Sequence, residues 1–294
     1  MVAGRRGHAR VALLTIIDEE FEAARGIFGA TEHVPYTQCF TSQPLREGTF
    51  DWVMMQSLGR SNEPAGEATQ DLIEEFRPAF ILLVGIAGGI GGRDGVALGD
   101  VVVPNYIHYG SYRKLVQGKS LARYLAFDHP SLYFHGYHVE PARRIGNWMR
   151  HVTAPRPADG EPRVHVGSLV AGEKLFGDPT NAEQQQMVDF YDDALAVDME
   201  SMGMARAVFK SRRSVDYNPQ FGVIRGISDL VGQESNDAVR KQWRGYAAEV
   251  AAAFAWVILP GLLEATADPH LPDATDIRPA ERHGEQATPR SEAG

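Results

Sequence analysis

The feature that most constrains the fold is a series of short apolar runs separated by segments with helical periodicity. The strongest runs cover residues 11–17, 80–84, 164–170, 194–197 and 221–227. Each is too short for a typical helix and is bounded by polar or turn residues, which indicates a strand. Alternation of strands with helices predicts a single α/β domain in which helices flank a mixed central β-sheet.

The segments between the apolar runs complete this prediction. A helical period is typical of residues 19–28, 67–76, 141–151, 182–191 and 201–210, and a last helix can start near Asn236 and reach about Leu263. Residues 34–58 resemble short paired strands, whereas residues 105–140 show no clear period and predict a long loop. We expect a flexible leader over residues 1–9, the domain over 10–264, and a disordered polar tail over 265–294.

Composition limits the possible partners. The chain of 294 residues has a formal net charge of -9, whereas nucleic-acid-binding proteins are usually basic, so we expect no nucleic-acid partner. Cys39 is the only cysteine, which excludes an intramolecular disulfide and fits a reducing cytoplasm. No apolar stretch reaches the roughly 18 residues of a membrane span, and AAAFAWVILPGLL is typical of a buried helix. We therefore expect a cytoplasmic protein without a membrane partner.

Acidic residues follow three of the apolar runs. Glu20 comes after the first, Asp198 and Glu200 lie in AVDMES, and Asp229 lies in IRGISD. In an open α/β sheet, ligands bind at the carboxyl ends of the strands. Taken singly, each acid could merely favour a helix or turn start. Together they predict a site that handles positive charge.

The glycine-rich stretch GIAGGIGGRDG invites a dinucleotide-binding interpretation that its spacing does not support. The frame that starts at Gly89 has Asp94 in place of the last glycine of GxGxxG, and the next strand follows too soon for a crossover helix. The stretch is better explained as a loop whose backbone approaches a ligand, or as a plain tight turn.

Three further motifs are weak. RKLVQGKS lacks the first glycine of a phosphate loop, although Arg113, Lys114 and Lys119 could still meet a substrate phosphate. GISDL misses the GxSxG nucleophile elbow at Leu230. The cluster of His129, His135 and His138 lacks zinc-ligand spacing, so we interpret these histidines as structural.

The order of motifs, strand-DEE, VGIAGG, GD-VVVP, VDMES and RGISD, resembles the nucleoside phosphorylase superfamily. Within it, the chain is most similar to methylthioadenosine/S-adenosylhomocysteine nucleosidases, over residues 10–262. The segment AGEKLF resembles the one before the family's purine pocket, and KQWRGYAAEVAAAFAWVIL resembles nucleosidase modules of bacterial signalling and defence proteins. The resemblance implies a homodimer that uses no metal or organic cofactor.

The resemblance also implies roles for individual residues. Glu20 would activate the attacking water, Asp229 would protonate or bind purine N7, and Glu200 would hold the ribose hydroxyls. The other implied contacts are Met199 beside the sugar, Asp198 nearby, Arg225 and Ser228 as ordering groups, Leu175 and Phe176 around the purine, and Gly88 and Gly89 in the glycine-rich stretch.

The chain departs from the phosphorylases at two positions. Leu83 and Ile86 stand where those enzymes place an arginine and a serine that bind phosphate, and the nucleosidases also carry the serine. An anionic phosphate beside Glu20 would be repelled, so we expect water as the nucleophile. The resulting prediction is a purine nucleosidase acting on an adenine-type nucleoside. The alternatives are a nucleosidase for AMP or ATP, suggested by the basic residues 113–123, a phosphorylase, and an inactive nucleoside-binding sensor.

Overall fold

The computed structural model of the protein describes residues 7–46, 48–117, 119–174, 181–212, 216–234 and 236–266. In chain order, its strands are β1 (His8–Thr15), β2 (Glu32–His33), β3 (Cys39–Thr41), β4 (Pro44–Arg46), β5 (Thr49–Gln56), β6 (Phe80–Gly89), β7 (Val101–Tyr109), β8 (Arg113–Val116), β9 (Lys119–Ala122), β10 (Val164–Ala171), β11 (Ala194–Asp198) and β12 (Gln220–Leu230). Its α-helices are α1 (Asp18–Phe28), α2 (Asn62–Phe76), α3 (Leu132–Phe134), α4 (Glu140–Ile145), α5 (Ala182–Phe190), α6 (Ser201–Ser211) and α7 (Asn236–Ala265). A π-helical turn covers His135–Val139, and a 3-10 turn covers Asn147–His151.

One mixed sheet contains these strands apart from the β8–β9 hairpin. Its order is β11-β10-β7-β12-β6-β1-β5-β3-β2, with β4 paired to β5. Strand β11 also pairs with β6, where Ala196 lies opposite Gly89. This extra pairing closes β11, β10, β7, β12 and β6 into a small barrel, and β1 and β5 extend the sheet from it. The predicted α/β fold with a mixed central sheet is confirmed.

Helices cover both faces of the sheet. Helices α1 and α7 pack together on one face, and α2 and α6 pack together on the other. Alternate residues of β1 serve the two layers: Leu13 packs with the α1 and α7 side, whereas Leu14 packs with the α2 and α6 side. This alternation is the period of two that a strand imposes, and burial on both faces explains why the run is apolar throughout.

Helix α7 approaches the sheet so closely that a side chain would not fit between them. A Cβ added to Gly226 in β12 would lie 1.9 Å from the carbonyl oxygen of Ala247. Among the described helices, α7 is the one long and apolar enough to cross a membrane, but 67% of its apolar window is buried in the protein. The interpretation of AAAFAWVILPGLL as a buried helix is confirmed.

Several predicted boundaries differ from the structure, among them the start of α2, which lies at Asn62 rather than at residue 67. Strand β1 starts at His8, inside the predicted leader, because His8 and Ala9 pair with β5. The glycine-rich stretch is not a loop up to Gly89: β6 continues through it, paired with β12 and β11. Residues 105–140 are not one long loop but contain the end of β7, the β8–β9 hairpin and a helical segment. The predicted tail falls almost entirely outside the described residues.

Candidate active site

A cavity of about 740 Å³ opens where several strands end. Its walls are lined by residues that follow β1 and β11 and by residues near the carboxyl ends of β6, β10 and β12. This volume is within the usual range for small-molecule sites. The four acids that the sequence assigned to one sheet edge, Glu20, Asp198, Glu200 and Asp229, all line it.

Glu20 lies in the first turn of α1, and its carboxylate is held by backbone amides. Oε2 accepts hydrogen bonds from the amides of Ile16, at 2.7 Å, and Ile17, at 3.1 Å. Oε1 accepts one from Ile86, at 2.7 Å. A carboxylate has about four lone-pair positions, so three amides leave about one for a water molecule. Glu20 rather than Glu19 is the buried acid, since the Glu19 side chain is partly exposed and pairs with Arg244.

Burial raises the pKa of Glu20, while the charge of Arg225 and the three amide hydrogen bonds act in the opposite direction. A general base works best when its pKa lies near the working pH, so this shift favours such a role. Space for the carboxylate depends on Gly85, where an added Cβ would lie 2.3 Å from Oε1 of Glu20.

Arg225 is completely buried beneath the cavity and shared among three carboxylates. Its Nε and Nη2 donate to Oδ2 of Asp198 at 2.9 and 2.6 Å, and Nη2 also reaches Glu200 Oε2 at 3.1 Å. Its Nη1 lies 4.0 Å from Glu20 Oε1. The pKa of Arg225 is raised, because the charges of Asp198, Glu200 and Glu20 outweigh the effect of burial. Arg225 therefore positions acids from β11, α1 and the start of α6.

Asp198 is a member of this buried network rather than a freely placed ligand group. It accepts hydrogen bonds from the hydroxyl and amide of Ser201 at the start of α6, and from Arg225. Glu200 directly precedes the same helix, and its side chain is more exposed than that of Asp198, at 11% against 1%. The Ser61 amide lies 3.4 Å from its Oε1. Burial raises the pKa of Glu200 to about 7, although Arg225 opposes the shift. Met199, between the two acids, also lines the cavity.

Asp229 lies near the end of β12 and is held by two side chains. The Ser228 hydroxyl donates to Oδ1 at 2.5 Å, and Nδ2 of Asn236 donates to Oδ2 at 2.9 Å. A Cβ added to Gly88 would lie 3.3 Å from Oδ2, so the glycine leaves the space beside Asp229 open. Gly89 lies farther along β6, where a Cβ would meet Ile227 at 2.8 Å, and it serves strand packing. Leu175 and Phe176 lie outside the described residues.

Basic side chains line the outer part of the cavity. Arg240 and Arg244 come from α7, and Arg60 comes from the segment after β5. We call these three residues the arginine rim. Arg113 and Lys174 also line the cavity. The sequence left open a contact of Arg113, Lys114 and Lys119 with a substrate phosphate. Of these residues, Arg113 lines the cavity and packs over the Phe190 ring.

The remaining motifs do not converge on the site. Ser228 donates its hydroxyl to Asp229, which is not the arrangement of a nucleophile with a histidine base. His135 contacts the Pro104 carbonyl, and His129 stacks on Tyr106. Burial raises the pKa of Cys39 to about 12, which disfavours a reactive thiolate. In the described ranges no group of three or more His, Cys, Asp or Glu is placed to hold a metal ion.

Sequence reasoning missed three contributors to the site. Asn236 signalled only a helix start, and its contact with Asp229 depends on how α7 docks. Gly85 gave no signal apart from its place in a glycine-rich stretch. The arginine rim is assembled from residues about 180 positions apart, and its α7 members show only as an i, i+4 pair.

Comparison with known proteins places this geometry in context. A 5'-methylthioadenosine/S-adenosylhomocysteine nucleosidase of Bacillus licheniformis is 22% identical over 227 residues, which cover 77% of this chain and 88% of that protein. An ATP nucleosidase, Cap17, of Escherichia coli is 26% identical over 248 residues, covering 78% of this chain but 47% of that protein.

Solved structures share the fold. The Neisseria meningitidis methylthioadenosine/S-adenosylhomocysteine nucleosidase, in complex with methylthio-immucillin-A, superimposes with a TM-score of 0.62 at 20% identity, covering 85% of this chain and 98% of that one. The futalosine hydrolase of Helicobacter pylori gives 0.62 at 16% identity, covering 86% and 98%. The family model of the phosphorylase superfamily matches residues 10–256, which include the whole acidic cavity. The chain belongs to the phosphorylase superfamily.

Proposed function

We propose that this protein is a nucleosidase that hydrolyses the N-glycosidic bond of an adenine-type nucleoside to the free base and a ribosyl product. The observation that carries the proposal is the placement of Glu20, Glu200 and Asp229 at separate points of one cavity. Cleavage of this bond builds positive charge on the sugar, which nearby carboxylates stabilise. The activities named for the relatives support adenine as the base.

The three acids divide the reaction between them. Asp229 gives a proton to N7 of the purine as the bond between C1′ and the base breaks and its electrons move to the base. Glu20 accepts a proton from the water whose oxygen bonds to C1′. Glu200 holds the ribose hydroxyls. Ser228 and Asn236 keep Asp229 in position through their hydrogen bonds.

Water is favoured over phosphate as the nucleophile. The charge of Arg225 is already shared by Asp198, Glu200 and Glu20, which leaves little net positive charge for an anion at this end of the cavity. Leu83, at one of the two positions where phosphorylases bind phosphate, is packed in the core. Ile86, at the other, supplies its backbone amide to Glu20 and so helps to hold the acid despite the absent serine.

The direct test is release of free adenine from adenosine and methylthioadenosine, measured by chromatography with and without inorganic phosphate. Release without phosphate is expected, and release that depends on phosphate would show a phosphorylase. Glu20→Ala should abolish release but still bind the nucleoside. Glu22→Ala, an exposed acid on the same helix, is the matched control and should retain activity. Binding without release by the wild type would instead identify a nucleoside sensor.

Homodimerisation and a cytoplasmic location stay predictions. Family resemblance supports the first, and the single cysteine supports the second. Light scattering after size-exclusion chromatography would test the dimer. The acidic net charge of -9 supports the expectation that nucleic acid is not a partner.

A further inference from the structure

The first turns of α7 present a line of polar residues to the cavity. Asn236, Arg240 and Arg244 follow at intervals of four residues and all line it. Four helical residues advance about 6 Å, so Arg240 and Arg244 lie about 6 and 12 Å beyond Asn236 along the axis. Asn236 contacts Asp229, and Arg244 contacts Glu19, the neighbour of Glu20. The line therefore runs from the acid proposed for the base past the acid proposed for water.

The third member of the arginine rim comes from another element. Arg60 precedes Ser61, whose amide lies 3.4 Å from Glu200, the acid proposed to hold the sugar. Arg60 is exposed and lines the same cavity. The three arginines thus line one cavity from two elements, α7 and the segment after β5, and Arg60 adjoins the residue that contacts Glu200.

The partners that the α7 arginines have in the structure are easily exchanged. Arg240 pairs with Asp237 at 2.6 Å, and that aspartate is 85% exposed. Arg244 pairs with Glu19 at 2.8 Å, and both side chains are partly exposed. Ion pairs of exposed side chains contribute little stability. A phosphate, which arginine binds through two parallel hydrogen bonds, can displace such partners.

The chemistry of the rim distinguishes among 5′ substituents. A methylthio group is apolar and would leave guanidinium groups without partners, and a homocysteine group offers a single carboxylate. A phosphate monoester carries about -1.5 to -2 charges at pH 7 and several acceptor oxygens, which matches a group of arginines. We propose that the arginine rim binds the 5′-phosphate of an adenine nucleotide, which makes the substrate a nucleoside 5′-phosphate. This inference rests on the nucleosidase function proposed above.

The test compares adenosine, AMP and ATP as substrates and as ligands. Adenine release should give a kcat/KM at least about tenfold higher for AMP or ATP than for adenosine, with the better of the two showing how many phosphates the rim accepts. In the double variant Arg240→Ala/Arg244→Ala, the ratio of nucleotide to adenosine kcat/KM should fall by about 10- to 100-fold, mainly through KM. Arg144→Ala, which removes an exposed arginine outside the cavity, is the charge-matched control and should leave the ratio unchanged.

Two results would overturn the inference. One is equal cleavage and equal binding of adenosine and the nucleotides, and the other is an equal loss for both in the double variant. Calorimetry of AMP and adenosine binding decides the inference separately from catalysis. If neither compound releases adenine, the nucleosidase function fails, whereas preferential AMP binding that the double variant loses would still support the phosphate site.

Discussion

At the floor of the cavity, Arg225 is completely buried and shared by Asp198, Glu200 and Glu20, whereas at the mouth Arg240 and Arg244 each pair with one carboxylate in contact with solvent. The same side chain therefore has different physical roles at the two ends. A buried charge that loses its partner is strongly destabilising, so Arg225 and the three acids at the floor stabilise the fold only when all of them are present. Exposed pairs are weak, so the mouth can change partners.

The largest expected effect is at the floor. Arg225→Met would leave three buried carboxylates without their cation and should lower the free energy of unfolding by about 3–5 kcal/mol. Arg244→Met at the mouth should lower it by less than about 1 kcal/mol. Urea denaturation of the two variants measures the difference. Equal losses would contradict the distinction between floor and mouth.

A methyl group at Gly85 is the next most severe change. The Cβ of Gly85→Ala would lie 2.3 Å from Glu20 and 2.6 Å from Nη1 of Arg225. Overpacking of this kind costs about 1–3 kcal/mol, and displacement of a catalytic group by about 1 Å can reduce the rate 100-fold. Adenine release and thermal denaturation measure the two effects. Gly26→Ala, on the open surface of α1, is the matched control and should stabilise the helix by about 0.5–1 kcal/mol.

A pH titration tests the buried acids at the floor of the cavity without changing the shape of any side chain. Burial raises the pKa of Glu200 to about 7 from an ordinary value of 4.5. Above pH 4.5 the unfolded chain loses this proton while the folded protein keeps it, so the unfolded state binds fewer protons. The contribution to stability is therefore greatest below pH 4.5 and falls, by about 1–3 kcal/mol, as the pH rises to 7. Denaturation across this range should show the decline, and Glu200→Gln should reduce it, with the remainder arising from Glu20, whose pKa burial also raises; an unchanged slope would remove Glu200 as a source.

The smallest effect belongs to the mouth. Glu19→Ala removes the partner of Arg244 and should change the free energy of unfolding by less than about 1 kcal/mol. The change should disappear at about 1 M salt, where screening acts within about 3 Å. A larger loss that persisted in high salt would show that this pair belongs with the buried network.

The sequence was sufficient to predict that Glu20, Asp198, Glu200 and Asp229 lie at one edge of the sheet, because local patterns determine the strands next to them. The sharing of Arg225 among three of these acids was not predicted. Strands β1, β6 and β12 are buried on both faces, so their apolar runs are clear. Glu20 and Asp229 lie near the ends of such runs, and their placement at the same edge of the sheet follows from the parallel pairing of β6 with both β1 and β12.

The residues at the mouth of the cavity could not be predicted in the same way, because their positions depend on how α7 packs against the sheet. The basic residues 113–123 suggested phosphate contacts by their density, but the hairpin that carries them places Arg113 over an aromatic ring. Arg240 and Arg244 instead reach the cavity because α7 packs against β12, at the close contact between Gly226 and Ala247. Nothing in the local sequence of residues 236–244 specifies that contact. The continuation of β6 through Gly89 was missed for a similar reason, since its pairing with β11 joins distant parts of the chain.

Helix α7 has a consequence for how such a protein can diversify. Its sheet-facing residues, among them Trp243 and Ala247, are held by the core, while positions 240 and 244 are partly open to solvent. On the proposal that the arginine rim binds the 5′ group, substitutions at those two positions alter which group is accepted while the folding of the helix is preserved. A small combinatorial library confined to positions 60, 240 and 244 would explore substrate range at little cost to expression, and the reaction chemistry would be inherited unchanged.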